Sequence, residues 1–260
     1  MIDPPIKGHE EKSIQQLQKI LEKNESACFI FEPLILGSGG MIIYSAAGLN
    51  DLIGLCQQAN VLTVADEVMT GFGRTGTLFA CEQLEFQPDL MCLSKGLTGG
   101  FLPLGATCCT QQIFNAFLSD QLKHAFLHGH SYTANPLACS SALASLDLLL
   151  TVSSMQQRQM ITHHHHSFCQ QWKEHPKLKR CESLGTILVV EYMSQESSYF
   201  CSQRDQLYHF FLDHHILLRP LGQVLYVLPP YCIQPTELQM IYNHIILTLE
   251  QSHDSILFSS

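Results

Sequence analysis

A chain of 260 residues is long enough to bury a sizeable core, as one large domain or two small ones. Hydrophobic residues make up 46% and charged residues 14%, which excludes an intrinsically disordered chain. The formal net charge is -9 and lysine and arginine form no block, so a basic nucleic-acid-binding stripe is excluded and no nucleic-acid partner is expected.

The first residues, Met1 to Pro5, contain no basic segment leading into an apolar run, and no secretory signal is expected from them. Ala27 to Phe31 is a short apolar run that reads as a buried strand. Leu49 to Ala59 has helical spacing, and the β-branched stretch Val61 to Ala65 reads as a second buried strand. Leu90 to Leu93 is a third, and Gly105 to Cys109 a fourth, with Cys108 and Cys109 on opposite faces. Apolar strands separated by helices predict an α/β fold with a mainly parallel sheet covered on both faces.

Asn135 and Pro136 open the next helix as N-cap and first helical residue, and that helix is predicted to run to Leu150. Residues 155–172 are helix-tolerant and contain His163 to His166, which reads as a solvated helix face rather than a metal site. Beyond Leu184 the pattern predicts a strand (Ile187 to Glu191), a helix (Arg204 to Asp213) and two short strands (Ile216 to Leu218, Val224 to Leu228). A final helix is predicted from Pro235 to about Leu249. These predict a smaller α/β domain over residues 151–260, joined near Thr151 to Ser154 to a larger domain over 1–150.

Two formally uncharged stretches, Gly96 to Ser119 and His124 to Leu146, are interrupted by glycine, proline and small polar residues, so no membrane span is expected. The 11 cysteines show no paired Cys-x-x-Cys motif, which argues against zinc. Free, mostly buried thiols fit a reducing cytoplasm.

In open α/β sheets ligands bind beyond the carboxyl ends of the strands. Asp66 directly follows one predicted strand, and Lys95 follows another with one residue between. If those strands are near neighbours, a carboxylate and an amine face one crevice. That pair suits pyridoxal phosphate, whose aldehyde takes a lysine amine and whose ring nitrogen pairs with a carboxylate. Burial and a nearby cationic nitrogen would then lower the proton affinity of Lys95. An ion pair at a sheet edge explains the same spacing.

The surrounding residues narrow the choice. Asp66-Glu67-Val68-Met69-Thr70-Gly71-Phe72-Gly73-Arg74-Thr75-Gly76 resembles the signature of class III aminotransferases, and Ser94-Lys95-Gly96-Leu97-Thr98-Gly99-Gly100 follows at the family's separation. Glu32-Pro33 and the segment His128 to Ala138 resemble the family in the same order. The resemblance implies the fold-type-I architecture: the C-terminal part of the large mainly parallel-sheet domain, plus a small C-terminal α/β domain.

It also implies roles. Lys95 would be the catalytic lysine that holds pyridoxal phosphate and acts as proton carrier, touching substrate as well. Asp66 would hold the pyridine nitrogen, Val68 would pack on the ring, and Ser131 and His130 would reach the phosphate of the neighbouring subunit in a homodimer. Val68 is otherwise a core valine, and His130 otherwise a loop histidine. Gly129 would let substrate approach the backbone, or be a plain turn glycine. Glu67 would support the ring region rather than serve as an acid or base. Arg74 reads as a loop residue.

Within the family, Leu97-Thr98-Gly99-Gly100, Gly71 to Glu82, and Arg219-Pro220-Leu221-Gly222 with Leu228-Pro229-Pro230-Tyr231 are similar to the members that aminate 8-amino-7-oxononanoate to 7,8-diaminononanoate in biotin synthesis. There the arginine matching Arg219 binds the substrate carboxylate, a task suited to a planar fork of donors. The amino donor is S-adenosylmethionine or lysine. Family members also carry a long N-terminal portion without a counterpart here. The chain therefore reads as part of an active enzyme complete only with that portion, or as a non-catalytic remnant or associating subunit. A class III enzyme acting on another ω-amino substrate is the remaining reading.

Overall fold

The computed structural model describes residues 1–193 and 202–250. They form two compact units: Met1–Gly37, Ile42–Gly73 and Thr77–Thr151 in the first, and Ser38–Met41, Arg74–Gly76 and the residues from Val152 onward in the second.

In the first unit, α1 (Glu10–Leu21), β1 (Cys28–Phe31), β2 (Ile35–Leu36), β3 (Ile42–Ile43) and α2 (Ala46–Gln58) come first. β4 (Leu62–Asp66), β5 (Leu90–Leu93), β6 (Ala106–Cys109), α3 (Gln111–Phe117) and α4 (Pro136–Leu149) follow. Ser45 starts α2 by accepting the Gly48 N–H at 3.1 Å. Leu49, Leu52, Ile53 and Cys56 then repeat at helical spacing, and all four are buried. Leu52 and Cys56 pack with Leu17 of α1 and with Val61. α4 starts as its sequence predicts: the Asn135 side chain accepts the Ala138 N–H at 3.0 Å, and Pro136 needs no partner for a missing donor.

The sheet order is β1-β4-β5-β6, parallel for the first three and antiparallel for β6. Asp89 fixes the start of β5 against β4. Its Oδ2 accepts from both the Thr63 N–H and the Thr63 hydroxyl, each at 2.8 Å, and its own N–H donates to the Thr63 carbonyl at 3.0 Å. The resulting register sets Asp66 opposite Cys92, three residues before Lys95.

The expectation of a sheet covered on both faces is not met within this chain. α2 packs beside β4, but Cys28, Ile30 and Leu62 are exposed, and so is every residue of β6, including both Cys108 and Cys109. Among the described residues nothing covers those side chains, so alternation within the strand does not translate into burial.

The second unit contains α5 (Val152–Trp172), β7 (Leu178–Leu184), β8 (Ile187–Tyr192), α6 (Ser202–Asp213), β9 (Val224–Val227) and α7 (Pro235–Glu250). Its antiparallel sheet runs β7-β8-β9, and every residue of the central β8 is buried. Ile161 and Phe168 of α5, Phe211 of α6, and Leu238 and Ile245 of α7 close over it. β7 has no apolar run to announce it. Its polar residues are paired instead: Glu191 of β8 accepts from Lys179 at 2.7 Å and from Arg180 Nε at 3.0 Å.

Two predictions fail here. Ile216 to Leu218 pairs with no strand among the described residues. Instead α6 ends at left-handed His215 (φ 60°), and the Ile216 N–H returns to the Phe211 carbonyl at 2.8 Å. The histidine run is not a uniformly solvated face either, because His165 is fully buried. No single helix among the described residues is long and apolar enough to cross a membrane.

Candidate active site

Asp66 is the last residue of β4, and Lys95 opens a 3-10 turn, Lys95–Thr98, just past β5. Because β4 and β5 are hydrogen-bonded neighbours running in the same direction, the two side chains belong to the same carboxyl-terminal rim of the sheet. The carboxylate is oriented: Asp66 Oδ1 accepts the Val68 N–H at 3.0 Å. The Lys95 backbone has φ 35°, in the left-handed region that non-glycine residues seldom occupy.

A third ionisable group senses both. The Glu32 carboxyl is held above the usual carboxylate range by burial, with Asp66 adding to the rise, while the Gly37 N–H at 3.0 Å and the charge of Lys95 pull it back. Tyr44 donates its hydroxyl to the Glu32 backbone carbonyl. Burial, first, and the neighbouring Glu32 push its phenol well above its ordinary pKa, so it serves as a neutral donor. The sequence marked Glu32-Pro33 only through its resemblance to the family, with no role for the carboxyl. Its nearness to Asp66 and Lys95 depends on β1 pairing with β4, which no local pattern encodes.

The expectation that Lys95 is desolvated needs correcting: its side chain is exposed in this chain. Gly96, next to it, sits against Phe72, where a Cβ would come within 2.8 Å of the ring and Cβ. That contact fixes the lysine turn to the loop that follows Asp66.

Glu67 organises that loop. Its side chain is fully buried, and it accepts from the Thr70 hydroxyl at 2.6 Å, the Ala80 N–H at 3.1 Å and the Cys81 N–H at 2.8 Å. Its backbone N–H donates to the Cys92 carbonyl at 3.0 Å. One carboxylate thus ties both ends of a loop of some dozen residues to the sheet.

Gly129, His130 and Ser131 lie in an exposed turn before α4. The turn is knitted by the His130 N–H donating to Thr133 Oγ1 at 2.9 Å and by the Thr133 N–H donating to the His130 carbonyl at 3.0 Å. His130 Nδ1 accepts the Tyr132 N–H at 3.1 Å, so its ring is engaged in shaping the turn. A Cβ on Gly129 would meet only Thr133 Oγ1, at 3.4 Å. Arg219 belongs to the second unit, exposed in the coil between α6 and β9. Among the described residues no group of three His, Cys, Asp or Glu side chains is arranged to hold a metal ion.

A carboxylate and an amine thus stand at the carboxyl-terminal ends of adjoining parallel strands. Comparison with known proteins gives the class. The family profile described as Aminotransferase class-III matches residues 3–249, and the chain belongs to the class III aminotransferase family.

More particular likenesses follow. Over 249 residues the chain is 43% identical to the adenosylmethionine-8-amino-7-oxononanoate aminotransferase of Synechococcus elongatus, covering 96% of this chain and 58% of that protein. The enzyme of the same name from Helicobacter pylori is 36% identical over 257 residues, covering 95% and 58%. The crystal structure of the Methanocaldococcus jannaschii enzyme of that name superposes with a TM-score of 0.87 at 31% identity, covering 96% of this chain and 59% of that one. The fold is therefore that of the fold-type-I class III aminotransferases, over a chain that spans less than two thirds of the length of these relatives.

Proposed function

We propose that this chain is the lysine-bearing part of a pyridoxal-phosphate-dependent aminotransferase of biotin synthesis, converting 8-amino-7-oxononanoate to 7,8-diaminononanoate. The observation that carries the reading is the placement of Asp66 and Lys95 on the ends of hydrogen-bonded parallel strands, with Glu32 sensing both. The identity to enzymes named for that reaction supports this choice of substrate. The name of those enzymes also favours S-adenosylmethionine over lysine as donor.

The residues fit the cofactor. Lys95 offers the amine, Asp66 a carboxylate already turned by the Val68 N–H, and Val68 an apolar surface one residue beyond Glu67. When bound, pyridoxal phosphate supplies an electron sink for the carbon that loses its proton. Lys95 would serve as the general base and acid that moves that proton. Asp66 would hold the ring nitrogen. Ser131, with His130, reaches a phosphate across a homodimer interface, while Gly129 and Arg219 serve the substrate, Arg219 by clamping its carboxylate.

Exposed Phe114, Leu118, Leu122, Phe126 and Leu127, which precede the Ser131 turn in the chain, support the dimer, since so many large apolar side chains in one segment are normally covered. We assign the larger domain to residues 1–150 and the smaller to 151–260, of which 194–201 and 251–260 lie outside the described residues. The unpaired thiols of the described cysteines fit a reducing, cytoplasmic setting.

Exposure of Lys95 favours a second reading, an associating subunit that does not turn over by itself. Titration with pyridoxal phosphate decides between them, with and without the unmatched portion of the Synechococcus elongatus relative supplied as a second polypeptide. The expected result is a visible absorption band that is lost in Lys95→Ala. If no band forms even in the assembled protein, the enzyme reading fails.

A further inference from the structure

The four consecutive histidines of α5 do not share one environment. His163 and His166 are exposed, His164 is half-buried and His165 is fully buried. His165 Nε2 lies 3.1 Å from the Thr186 carbonyl oxygen, which only accepts, so Nε2 carries the proton. Nδ1, 2.7 Å from the Tyr242 hydroxyl, is then the acceptor of that phenol. Burial drives the imidazole towards its neutral form, which is the form this pairing requires.

Thr186 passes the constraint on. Its N–H at 2.8 Å and its hydroxyl at 3.1 Å both donate to the Arg74 carbonyl. Gly185 lies so close that a Cβ there would overlap the backbone from Arg74 to Gly76. Arg74–Gly76 is the part of the Asp66-to-β5 loop that belongs to the second unit. The histidine run, which the aminotransferase reading leaves unused, therefore reaches the Arg74–Gly76 segment through Thr186.

We propose that His165 is a positioning residue that, through Thr186, fixes the Arg74–Gly76 segment and with it the loop we assign to the cofactor ring. The inference rests on the aminotransferase reading for its functional consequence, but not for its geometry. Glutamine preserves the logic of the neutral ring, with one donor for Thr186 and one acceptor for Tyr242. Phenylalanine keeps the ring volume and provides neither.

The test compares the intact chain with His165→Phe, His165→Gln and Phe211→Leu, the last a fully buried core substitution far from Thr186 in sequence. The first readout is trypsin cleavage after Arg74, normalised to cleavage after exposed Lys23. His165→Phe should cleave about tenfold faster, with His165→Gln close to wild type and Phe211→Leu much less affected. Equal acceleration in His165→Phe and Phe211→Leu, or none in His165→Phe, overturns the proposal.

The second readout is the affinity for pyridoxal phosphate in the assembled protein. It should weaken about tenfold in His165→Phe and recover in His165→Gln. Unchanged affinity alongside faster cleavage overturns the functional link. A wild-type protein that forms no absorption band defeats the aminotransferase reading, and the cleavage comparison still decides the role of His165.

Discussion

Replacing Glu67 by glutamine asks whether a buried carboxylate is what holds the loop beyond Asp66. The carboxylate accepts on Oε2 from Thr70 and Ala80 and on Oε1 from the Cys81 N–H, and the Cys81 thiol bonds it as well. Glutamine keeps one acceptor oxygen. If that oxygen serves Thr70 and Ala80, the amide N–H₂ faces the Cys81 N–H, donor against donor. A buried donor left without an acceptor costs about 1–3 kcal/mol, and the bonds that survive lose their charge assistance, so Glu67→Gln should cost about 3 kcal/mol. Glu67→Ala strands every one of these donors and should cost about 4 kcal/mol or more. Urea unfolding followed by circular dichroism reads the loss. The only tryptophan, Trp172, lies in the second unit and is a poor reporter of this loop. With a slope of about 1–3 kcal/mol per molar urea, the Gln midpoint should fall by about 1 M or more. Exposed Glu82→Gln, in the same loop, is the control and should stay within about 0.5 kcal/mol of wild type. Wild-type stability in Glu67→Gln would refute the idea that the charge organises the loop.

His165 also makes stability depend on pH. Its pKa is lowered from 6.5 to about 4, first by burial and also by His164, with the Thr186 bond opposing. The unfolded chain therefore binds a proton that the folded chain refuses. The contribution is fully present above pH 6.5 and is lost as pH falls towards 4, amounting to about 3 kcal/mol. In His165→Gln, urea midpoints measured across that window should decline less steeply than in wild type, and equal slopes would contradict the assignment. Gly185→Ala should destabilise by about 3 kcal/mol or more, because φ is 55° and the added methyl meets the backbone of Arg74–Gly76 rather than a yielding side chain. A melting temperature unchanged from wild type would show that the two segments can separate freely.

What the sequence disclosed follows from how local each signal is. Asp66 and Lys95 could be placed because each terminates an apolar run, and strand ends need no partner to be recognised. Asn135-Pro136 announced α4 because capping chemistry lies within four residues. β7 escaped because its stabilisation is a pairing of Lys179 and Arg180 with Glu191 across strands, and a polar strand has no periodic apolar signal. Ile216 to Leu218 was read as a strand from composition alone. His215 shows why that fails: a left-handed helix end spends an apolar residue on capping α6 rather than on a sheet.

Two buried polar residues, Glu67 and His165, were the least legible, and for one reason. Each is a polar group whose meaning lies in the backbone atoms it reaches: Ala80 and Cys81 for Glu67, Thr186 for His165. A buried polar side chain must find partners or lose several kcal/mol, so its presence is informative only when those partners are known. Glu67 lies beside Asp66 in sequence, and His165 sits in a run that composition assigned to solvent. Yet they grip the two sides of the same loop, Glu67 at the Ala80–Cys81 return and His165 through Thr186 at Arg74. If the loop answers to both grips, Glu67→Gln and His165→Phe should be less than additive in urea, because once one anchor has released the segment the other has less left to hold.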